Sequence, residues 1–413
     1  MQPNDELTQT TKSYLAWEPL ATNITQQLAT LAQTHEAAVL ALWANRGGGK
    51  TTSLRWLANH LDEQPQIEVA GSWDVRAISL QELIADIFAR VKHIAQNAQA
   101  VVLLDNVDAW LMTDGDLFIN LEQEIVQPLV LRFNVTIIVT SQMPHLEWLD
   151  YQIRERQTTL HIPPLAPDDV AVMLGTNNAL AAHTLGYPQA VHWARSEPSL
   201  TVEQFDHKVD KFFCEGFDDK TADLARVTAL LPLFNVLLLR LLRTDDSAST
   251  ESLYADYLKR IRELAGAGLI VWDPDPMLYR FADGTVRRLL ANSFERDRPT
   301  AYERIQDIAA RYFKEEARRP AYLQYSFVSA LYHLAQALRA GGSTQVDVDC
   351  VQWLNDSLRD WADVDWTAIQ ATWQSGANDP VLVQEFQALL QDSTFQYINR
   401  LFKPTAQSVE AIA

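Results

Sequence analysis

A glycine-rich loop between an apolar and an amphipathic segment constrains this chain more than any other feature. The apolar run from Ala37 to Trp43 predicts a buried strand, and the segment from Ser53 to Leu61 predicts a helix. Between them the sequence reads Ala44-Asn45-Arg46-Gly47-Gly48-Gly49-Lys50-Thr51-Thr52. Strand, glycine loop and helix are the context of a phosphate-binding loop, in which backbone N–H groups and the helix N-terminus point at phosphate oxygens. We therefore predict an α/β phosphate-loop domain.

The residue types of the loop indicate its ligand. We expect Lys50 to reach the β- and γ-phosphates, and the Thr51 hydroxyl to ligate Mg²⁺. The usual pattern is G-x-x-x-x-G-K-[ST], and Ala44 stands at its first glycine. That position mainly shapes the turn that leaves the strand, so alanine is compatible with it. Residues 44–52 are thus predicted to bind ATP or ADP with Mg²⁺; the alternative is an ordinary glycine-rich turn followed by a lysine.

A second apolar strand ends in a carboxylate, Asp105, which lies fifty-five residues after Lys50. We predict that Asp105 is catalytic and holds the Mg²⁺ opposite Thr51. The run continues to Asp108, whose carboxylate is placed to polarise the attacking water. The alternative is that both aspartates only cap the strand and the following turn.

Two further motifs stand at predicted element ends. The strand 135–139 runs into Thr140-Ser141-Gln142, and Ser141 is predicted to sense the γ-phosphate as a catalytic residue. A strand that simply ends in a polar turn is the alternative. Gly186-Tyr187-Pro188 predicts a bend that brings Pro188 against the adenine ring, although such a pair is also an ordinary helix break.

The pattern along the chain predicts several domains. Residues up to 35 are expected to cover the nucleotide site from the N-terminal side. From 37 to about 165, apolar strands alternate with amphipathic helices, which predicts a parallel sheet with helices on both faces. The predicted strands are 37–43, 75–79, 100–105, 134–140 and 158–162, and the predicted helices are 51–62, 80–97, 116–131 and 146–154.

A different pattern follows this α/β segment. Three predicted helices (220–231, 233–243 and 250–266) precede two short strands at 269–272 and 278–281, which is the order of a winged helix. The chain is helical in pattern from about 299. We predict a nucleotide-binding domain (1–165), a helical lid (166–218), a winged-helix domain (219–297) and a C-terminal helical region (298–413).

Taken in order, these motifs resemble the STAND class of signal-transducing NTPases, an AAA+-like group related to NACHT and NB-ARC proteins. The resemblance covers about residues 35–340. It implies a slow ATPase switch: ADP would lock the nucleotide domain against the winged helix, and ATP would open it for assembly. Besides Ala44, two positions depart from the pattern. Gln142 stands where an arginine is common, and Phe281-Ala282-Asp283 lacks the histidine usual in the winged-helix contact to the β-phosphate.

Two other functions remain open at this point. An AAA+-like, DNA-associated ATPase is also built from a nucleotide domain and a winged helix. The net charge of −19 and the carboxylates Asp273, Asp275 and Asp283 in and beside the hairpin make nucleic acid an unexpected partner. The third candidate is a scaffold that binds nucleotide without hydrolysis, which Gln142 and Ala282 leave open.

The C-terminal region is predicted, by elimination, to bind a protein partner or to mediate self-assembly. It is rich in aromatic residues, although aromatics at such spacing more commonly form helix–helix cores: Tyr322, Tyr325, Tyr332, Trp353, Trp361, Trp366 and Trp373. We expect a cytoplasmic protein without membrane insertion. The first residues lack the basic start of a secretory signal, and Cys214 and Cys350 are too few for a disulfide framework.

Overall fold

A five-stranded parallel sheet organises the first of the two units into which the chain folds, Met1–Phe205 and Asp206–Ala413. The computed structural model describes residues 15–94, 98–175, 178–242, 250–274, 277–317, 323–360, 385 and 387–402. The strands are β1 (Val39–Trp43), β2 (Ile67–Asp74), β3 (Gln99–Asp105), β4 (Thr136–Ser141) and β5 (Gln157–His161). Their order in the sheet is β2-β3-β4-β1-β5. The predicted parallel α/β fold is confirmed.

The helices of the first unit precede, connect and follow these strands. They are α1 (Glu18–Thr34), α2 (Lys50–Asp62), α3 (Leu80–Val91), α4 (Asp108–Thr113), α5 (Gly115–Leu121), α6 (Tyr151–Glu155), α7 (Pro167–Leu174) and α8 (Pro188–Ser196). Helix α9 (Val202–Cys214) begins in the first unit and ends in the second. Because all pairings are parallel, the carboxyl ends of the strands lie at one edge of the sheet. This edge carries the loop that follows β1 and the acidic tip of β3.

Strand β1 shows why the sheet lies in the middle of the unit. Val39 and Ala41 belong to one buried cluster, which includes side chains of α3, whereas Leu40 and Leu42 belong to a second cluster with side chains of α1 and α2. Successive side chains of a strand point to opposite faces, so a strand covered on both sides is apolar throughout. The continuous run that predicted β1 is the consequence of this double cover.

One predicted strand is wrong. We expected a strand at 75–79, but the structure has β2 at Ile67–Asp74 and a short 3₁₀ turn at Val75–Ala77. Strand β2 ends the order at one side of the sheet and pairs with β3 alone. It is only partly buried, and it contains a register irregularity at Val69/Gly71. A half-exposed edge strand lacks the continuous apolar run on which the prediction relied.

Three predicted helices are shorter or less regular than expected. The helix predicted at 80–97 ends at Val91, and residues 92–94 form a turn. Segment 116–131 is α5 followed by wide π-type turns at Glu122–Val126 and Pro128–Arg132, since a proline lacks the N–H that a regular helix needs. In 146–154, only α6 is helical. The backbone N–H groups of Leu149 and Asp150 donate to the buried Glu122 carboxylate instead of continuing a helix.

In the second unit, the element order predicted for a winged helix follows α9. Its helices α10 (Asp219–Ala229), α11 (Val236–Leu242) and α12 (Thr250–Gly266) precede the antiparallel hairpin of β6 (Ile270–Asp273) and β7 (Leu278–Phe281). Phe234 forms an additional bridge to Tyr279, in which the two backbone N–H groups donate at 2.9 and 2.7 Å. Three helices closed by a hairpin and a bridging segment confirm this part of the fold prediction.

Further along the second unit, the structure describes α13 (Gly284–Asp297), α14 (Pro299–Glu316), α15 (Leu323–Ala340), α16 (Val346–Asp360) and α17 (Asp392–Phe402). Tyr332 belongs to the buried core of these helices, and the partly buried Trp353 packs against that core. These two aromatics therefore serve helix packing. Tyr322, Trp361, Trp366, Trp373 and the Tyr325 side chain lie outside the described residues. Among the helices described, none is both long and apolar enough to cross a bilayer.

Replacing Glu122 with alanine tests the contact that shapes the segment after β4. The substitution removes the acceptor of two backbone N–H groups, so we expect the free energy of unfolding to fall by roughly 2–4 kcal/mol. Glu124→Ala is the matched control, because Glu124 lies on the same turn and is exposed; its effect should stay within about 0.5 kcal/mol. Urea unfolding of the full chain measures both. Equal effects would show that the buried carboxylate does not hold this segment.

Candidate functional site

The loop after β1 has the backbone conformation of a phosphate cradle. Gly47 and Gly49 adopt positive φ angles of 78° and 85°, and α2 begins directly at Lys50. A Cβ atom at Gly49 would lie 3.0 Å from Cγ of Pro188, so a side chain there would also be crowded. Glycine adopts this conformation without steric cost, and the free N–H groups of the α2 N-terminus then face the loop.

Ala44 fits the first glycine position because of a compensating glycine. A Cβ atom at Gly48 would lie 2.7 Å from the Cβ of Ala44 and 3.0 Å from the Asn45 carbonyl oxygen. The methyl group of Ala44 therefore occupies space that a side chain at Gly48 would need. The departure from the usual pattern is accommodated inside the loop itself.

Lys50 is held within the loop by backbone carbonyls. Its Nζ donates to the carbonyl oxygens of Ala44 at 2.9 Å and Asn45 at 3.2 Å. Burial lowers the pKa of Lys50 to about 8, although the carboxylates of Asp108 and Asp105 oppose this shift. A poorly solvated ammonium group interacts strongly with an incoming anion, because little water screens the attraction.

Asp105 connects three elements at the sheet edge. Its Oδ2 accepts a hydrogen bond from Thr51 Oγ1 at 2.6 Å, and its Oδ1 accepts one from Thr140 Oγ1. Thr51 belongs to α2, and Thr140 lies on β4, the strand between β1 and β3. A hydroxyl and a carboxylate are the hard oxygen ligands that Mg²⁺ prefers, so Thr51 and Asp105 fit the predicted metal.

Asp108 is the most strongly buried carboxylate with an open acceptor at this edge. Asn106 adopts a left-handed φ of 61°, which turns the chain after β3 so that Asp108 begins α4. The side chain is 3% exposed, and its Oδ1 has no hydrogen-bond partner among the described residues. Burial raises the pKa of Asp108, whereas Lys50 and the backbone N–H of Gln142 act in the opposite direction. These properties suit a general base.

Ser141 and Gln142 take different positions at the tip of β4. The Ser141 side chain is fully buried, and its Oγ accepts the backbone N–H of Met143 at 2.9 Å. Gln142 lines the cavity beside the loop. Gln142, and not Ser141, therefore lines the cavity.

The Gly186-Tyr187-Pro188 bend packs directly against the loop. Tyr187 Oη donates to the Arg46 carbonyl oxygen at 2.7 Å, and the backbone N–H of Gln189 donates to the Gly47 carbonyl at 3.1 Å. Pro188 is the first residue of α8, and its ring lies beside Gly49. This bend thus belongs to the same site as the loop.

A cavity of about 500 Å³ lies at this edge of the first unit, within the size range of small-molecule sites. The structure brings together most of the predicted loop residues and Pro188 on its surface, while Ala44, Asn45 and Gly48 lie in the loop backbone beneath. The lining side chains and glycines are Trp17, Arg46, Gly47, Gly49, Lys50, Thr51, Thr52, Arg76, Asn106, Gln142, Leu165, Met173, Pro188, Gln189, His192 and Arg195.

The N-terminal segment contributes a residue that the sequence motifs did not identify. Trp17 precedes α1, is 1% exposed, and donates from Nε1 to the Pro163 carbonyl at 3.1 Å. The Asp169 carboxylate accepts the backbone N–H groups of Leu15 and Ala16, both at 3.1 Å. These contacts hold Trp17 against the cavity. No local pattern identifies such a contact, since its partners are about 150 residues away in sequence.

No protein-family model matches this chain, and no curated protein does. Among solved structures, it is similar to the Walker-type ATPase paby2304 of Pyrococcus abyssi, with a TM-score of 0.41 and 14% identity over 66% of this chain and 95% of that one. It is also similar to the ORC2 protein of Aeropyrum pernix in ADPNP–ADP complexes, with a TM-score of 0.35 and 15% identity over 68% and 94%. A third similar structure is that of Cdc6p from Pyrobaculum aerophilum, with a TM-score of 0.33 and 12% identity over 70% of this chain and 97% of that one.

The parallel sheet, the glycine loop and the acidic strand tip together define a fold class. The chain has a parallel α/β fold of the phosphate-loop type, in which Lys50 and Thr51 follow β1 and Asp105 ends β3. A helical region with a hairpin follows this α/β unit along the chain.

Substituting Gly186 tests the bend that carries Pro188. Gly186 has a φ of 72°, and a Cβ atom there would lie 2.1 Å from the Leu165 carbonyl oxygen. Gly175 also has a positive φ, 81°, but nothing within 4 Å of its added Cβ, so Gly175→Ala carries a backbone cost of about 1–3 kcal/mol without a clash. We expect Gly186→Ala to cost roughly 1–3 kcal/mol more in unfolding free energy, because of the clash.

Urea unfolding of both full-length variants measures this difference. If the two alanine variants unfold alike, the close approach of Gly186 to Leu165 is not a determinant of stability.

Proposed function

We propose that this chain binds ATP with Mg²⁺, hydrolyses it slowly, and uses its nucleotide state to control conformation or assembly, as a STAND-type switch. The observation that carries the proposal is the meeting of Lys50, Thr51, Asp105 and Asp108 at one edge of the sheet. The order of motifs supports the STAND assignment within the AAA+-like fold, and the C-terminal helical region is the proposed place for a protein partner or a second copy.

The residues divide the chemistry of hydrolysis between them. Lys50 and the N–H groups of the glycine loop bind the β- and γ-phosphate oxygens, which places the γ-phosphorus for in-line attack. Thr51 and Asp105 would hold Mg²⁺, which neutralises charge on the phosphates when bound. Asp108 accepts a proton from the attacking water, because its buried carboxylate has a raised pKa and an open Oδ1 atom.

The apolar part of the cavity suits the base of the nucleotide. Trp17, Leu165, Met173 and Pro188 provide apolar surface beside the loop. A planar purine ring packs well against such side chains. We assign this part of the cavity to adenine, which agrees with the predicted role of Pro188.

Slow turnover follows from the neutral side chain at the tip of β4. An amide such as Gln142 donates hydrogen bonds to a phosphate but carries no positive charge. Stabilisation of the charge that develops on the transferred phosphoryl group is the main contribution of a protein to this reaction. An ATPase with Gln142 at this position should therefore bind nucleotide well and turn it over slowly.

Two substitutions separate binding from chemistry. Lys50→Ala should abolish measurable ATP binding, since it removes the buried ammonium group of the loop. Asp108→Asn should retain ATP binding within about threefold and lower the hydrolysis rate by roughly 100-fold or more, because an amide accepts no proton from water. Calorimetric titration with Mg-ATP and a steady-state phosphate-release assay measure the two effects.

Asp116→Asn serves as the matched control, because Asp116 is an exposed aspartate on the neighbouring helix α5 and should change neither value. A Lys50→Ala protein that binds ATP normally would refute the proposed site. Normal hydrolysis by Asp108→Asn would remove Asp108 from the catalytic group and leave nucleotide binding in place.

The winged-helix arrangement is also compatible with a second function, that of an AAA+-like ATPase associated with DNA. Arg260 on α12 is already neutralised, since it pairs with Asp218 at 2.7 Å and with Asp256 at 3.0 Å. A protein of net charge −19 has more acidic than basic side chains, which disfavours the replacement of DNA counterions by lysine and arginine. We therefore expect no duplex binding at about 150 mM salt, as measured by fluorescence anisotropy. Salt-sensitive duplex binding would favour this second function.

A further inference from the structure

Arg76 reaches the nucleotide cavity from a part of the sheet that no motif identified. It lies in the 3₁₀ turn after β2, two residues beyond Asp74. In the parallel pairing of β2 with β3, Asp74 is level with Asp105. Arg76 therefore stands at the same sheet edge as the acidic strand tip, and its side chain lines the cavity together with Lys50 and Thr51.

Hydrogen bonds to Asp74 fix the direction of the Arg76 guanidinium group. Its Nε donates to Oδ1 at 3.0 Å and its Nη2 to Oδ2 at 2.6 Å. Asn106 Nδ2 donates to the same carboxylate at 3.3 Å, and the Asn106 backbone N–H donates to Thr140 Oγ1 at 2.9 Å. Arg76 is thus connected through Asp74 and Asn106 to the residues around Asp105, while its Nη1 group has no hydrogen bond to the described part of the chain.

The strand order shows which end of a bound nucleotide Arg76 would meet. The apolar surface formed by Trp17 and Pro188 lies beside the glycine loop, which follows β1. Strands β4 and β3 come next in the sheet, and β2 lies beyond the Asp105 tip of β3. Arg76 accordingly approaches from the side of the acidic residues, where the terminal phosphate lies if Thr51 and Asp105 hold the metal.

The electrostatic interactions of Arg76 agree with this position. The hydrogen bond to Asp74 is the main cause that raises the pKa of Arg76, and Asp105 and Asp108 add to it. Burial is the main cause that lowers the pKa of Lys50, and Arg76 adds to it. Arg76 is therefore coupled to all three charged groups of the proposed catalytic site.

We propose that Arg76 binds the γ-phosphate and enables the site to distinguish ATP from ADP. This inference rests on the proposed nucleotide function. The Arg76 and Asp74 side chains are 56% and 32% exposed, so water already weakens their ion pair and Arg76 is available to a phosphate. A guanidinium fork suits phosphate oxygens, and its charge does not change with pH.

The experiment compares ADP with a non-hydrolysable ATP analogue on the full chain. In Arg76→Gln, we expect the affinity for the Mg-ATP analogue to fall by roughly tenfold or more, since one charge-assisted contact to the γ-phosphate is lost. Affinity for Mg-ADP should stay within about twofold, because ADP lacks that phosphate. Calorimetric titration of both nucleotides gives the ratio directly, and thermal unfolding confirms that the variant folds.

Arg90→Gln is the matched control. Arg90 is 53% exposed and pairs with Asp86 on α3, so it resembles Arg76 in exposure and pairing but does not line the cavity. It should leave both affinities unchanged. An Arg76→Gln protein with an unchanged ratio of the two affinities, through no loss or an equal loss of both, would overturn the role of Arg76 while the nucleotide site stands. A wild-type chain that binds neither nucleotide would overturn the proposed function and this inference together.

Discussion

The hydrogen bonds of Asp105 are the constraint on which the rest of the site depends. Its two carboxylate oxygens accept from Thr51 on α2 and from Thr140 on β4, so one side chain ties the phosphate loop, the acidic strand and the intervening strand together. Only a parallel sheet with β4 between β1 and β3 brings these groups to one edge. The same strands contribute side chains to the buried clusters on both faces of the sheet. The sheet therefore both stabilises the unit and positions the residues of the site.

Close backbone packing holds the other side of the site. The glycines of the loop allow Pro188 and Tyr187 to approach, and Gly186 allows the bend to approach Leu165. A conformational switch needs contacts of this kind, because a ligand changes an equilibrium only if it binds the two states with different affinity. A nucleotide between the loop and α8 would contact both elements, so nucleotide state and the position of this bend are physically coupled in the proposal.

Prediction from the sequence succeeded where the pattern is local and the environment is uniform. Strands β1, β3 and β4 are buried on both faces, so continuous apolar runs in the sequence predict them. Lys50 and Thr51 follow the loop after β1, and Asp105 ends β3. It failed at β2, whose exposed edge gives a mixed pattern, and so it also missed Arg76 just beyond that strand. The helix predicted at 146–154 was too long, because the contacts of Glu122 with Leu149 and Asp150 join residues that are distant in sequence.

The sequence by itself determined the kind of fold and the groups that bind phosphate, because glycine conformation, helix start and strand burial are properties of short segments. The tertiary structure alone decided which side chains meet around them. It placed Gln142 rather than Ser141 on the cavity surface, left Asp108 with an open oxygen, and brought Trp17 and Arg76 to the site from opposite sides. The reason is that strand order and register, which no local pattern encodes, set the distances between residues far apart in the chain.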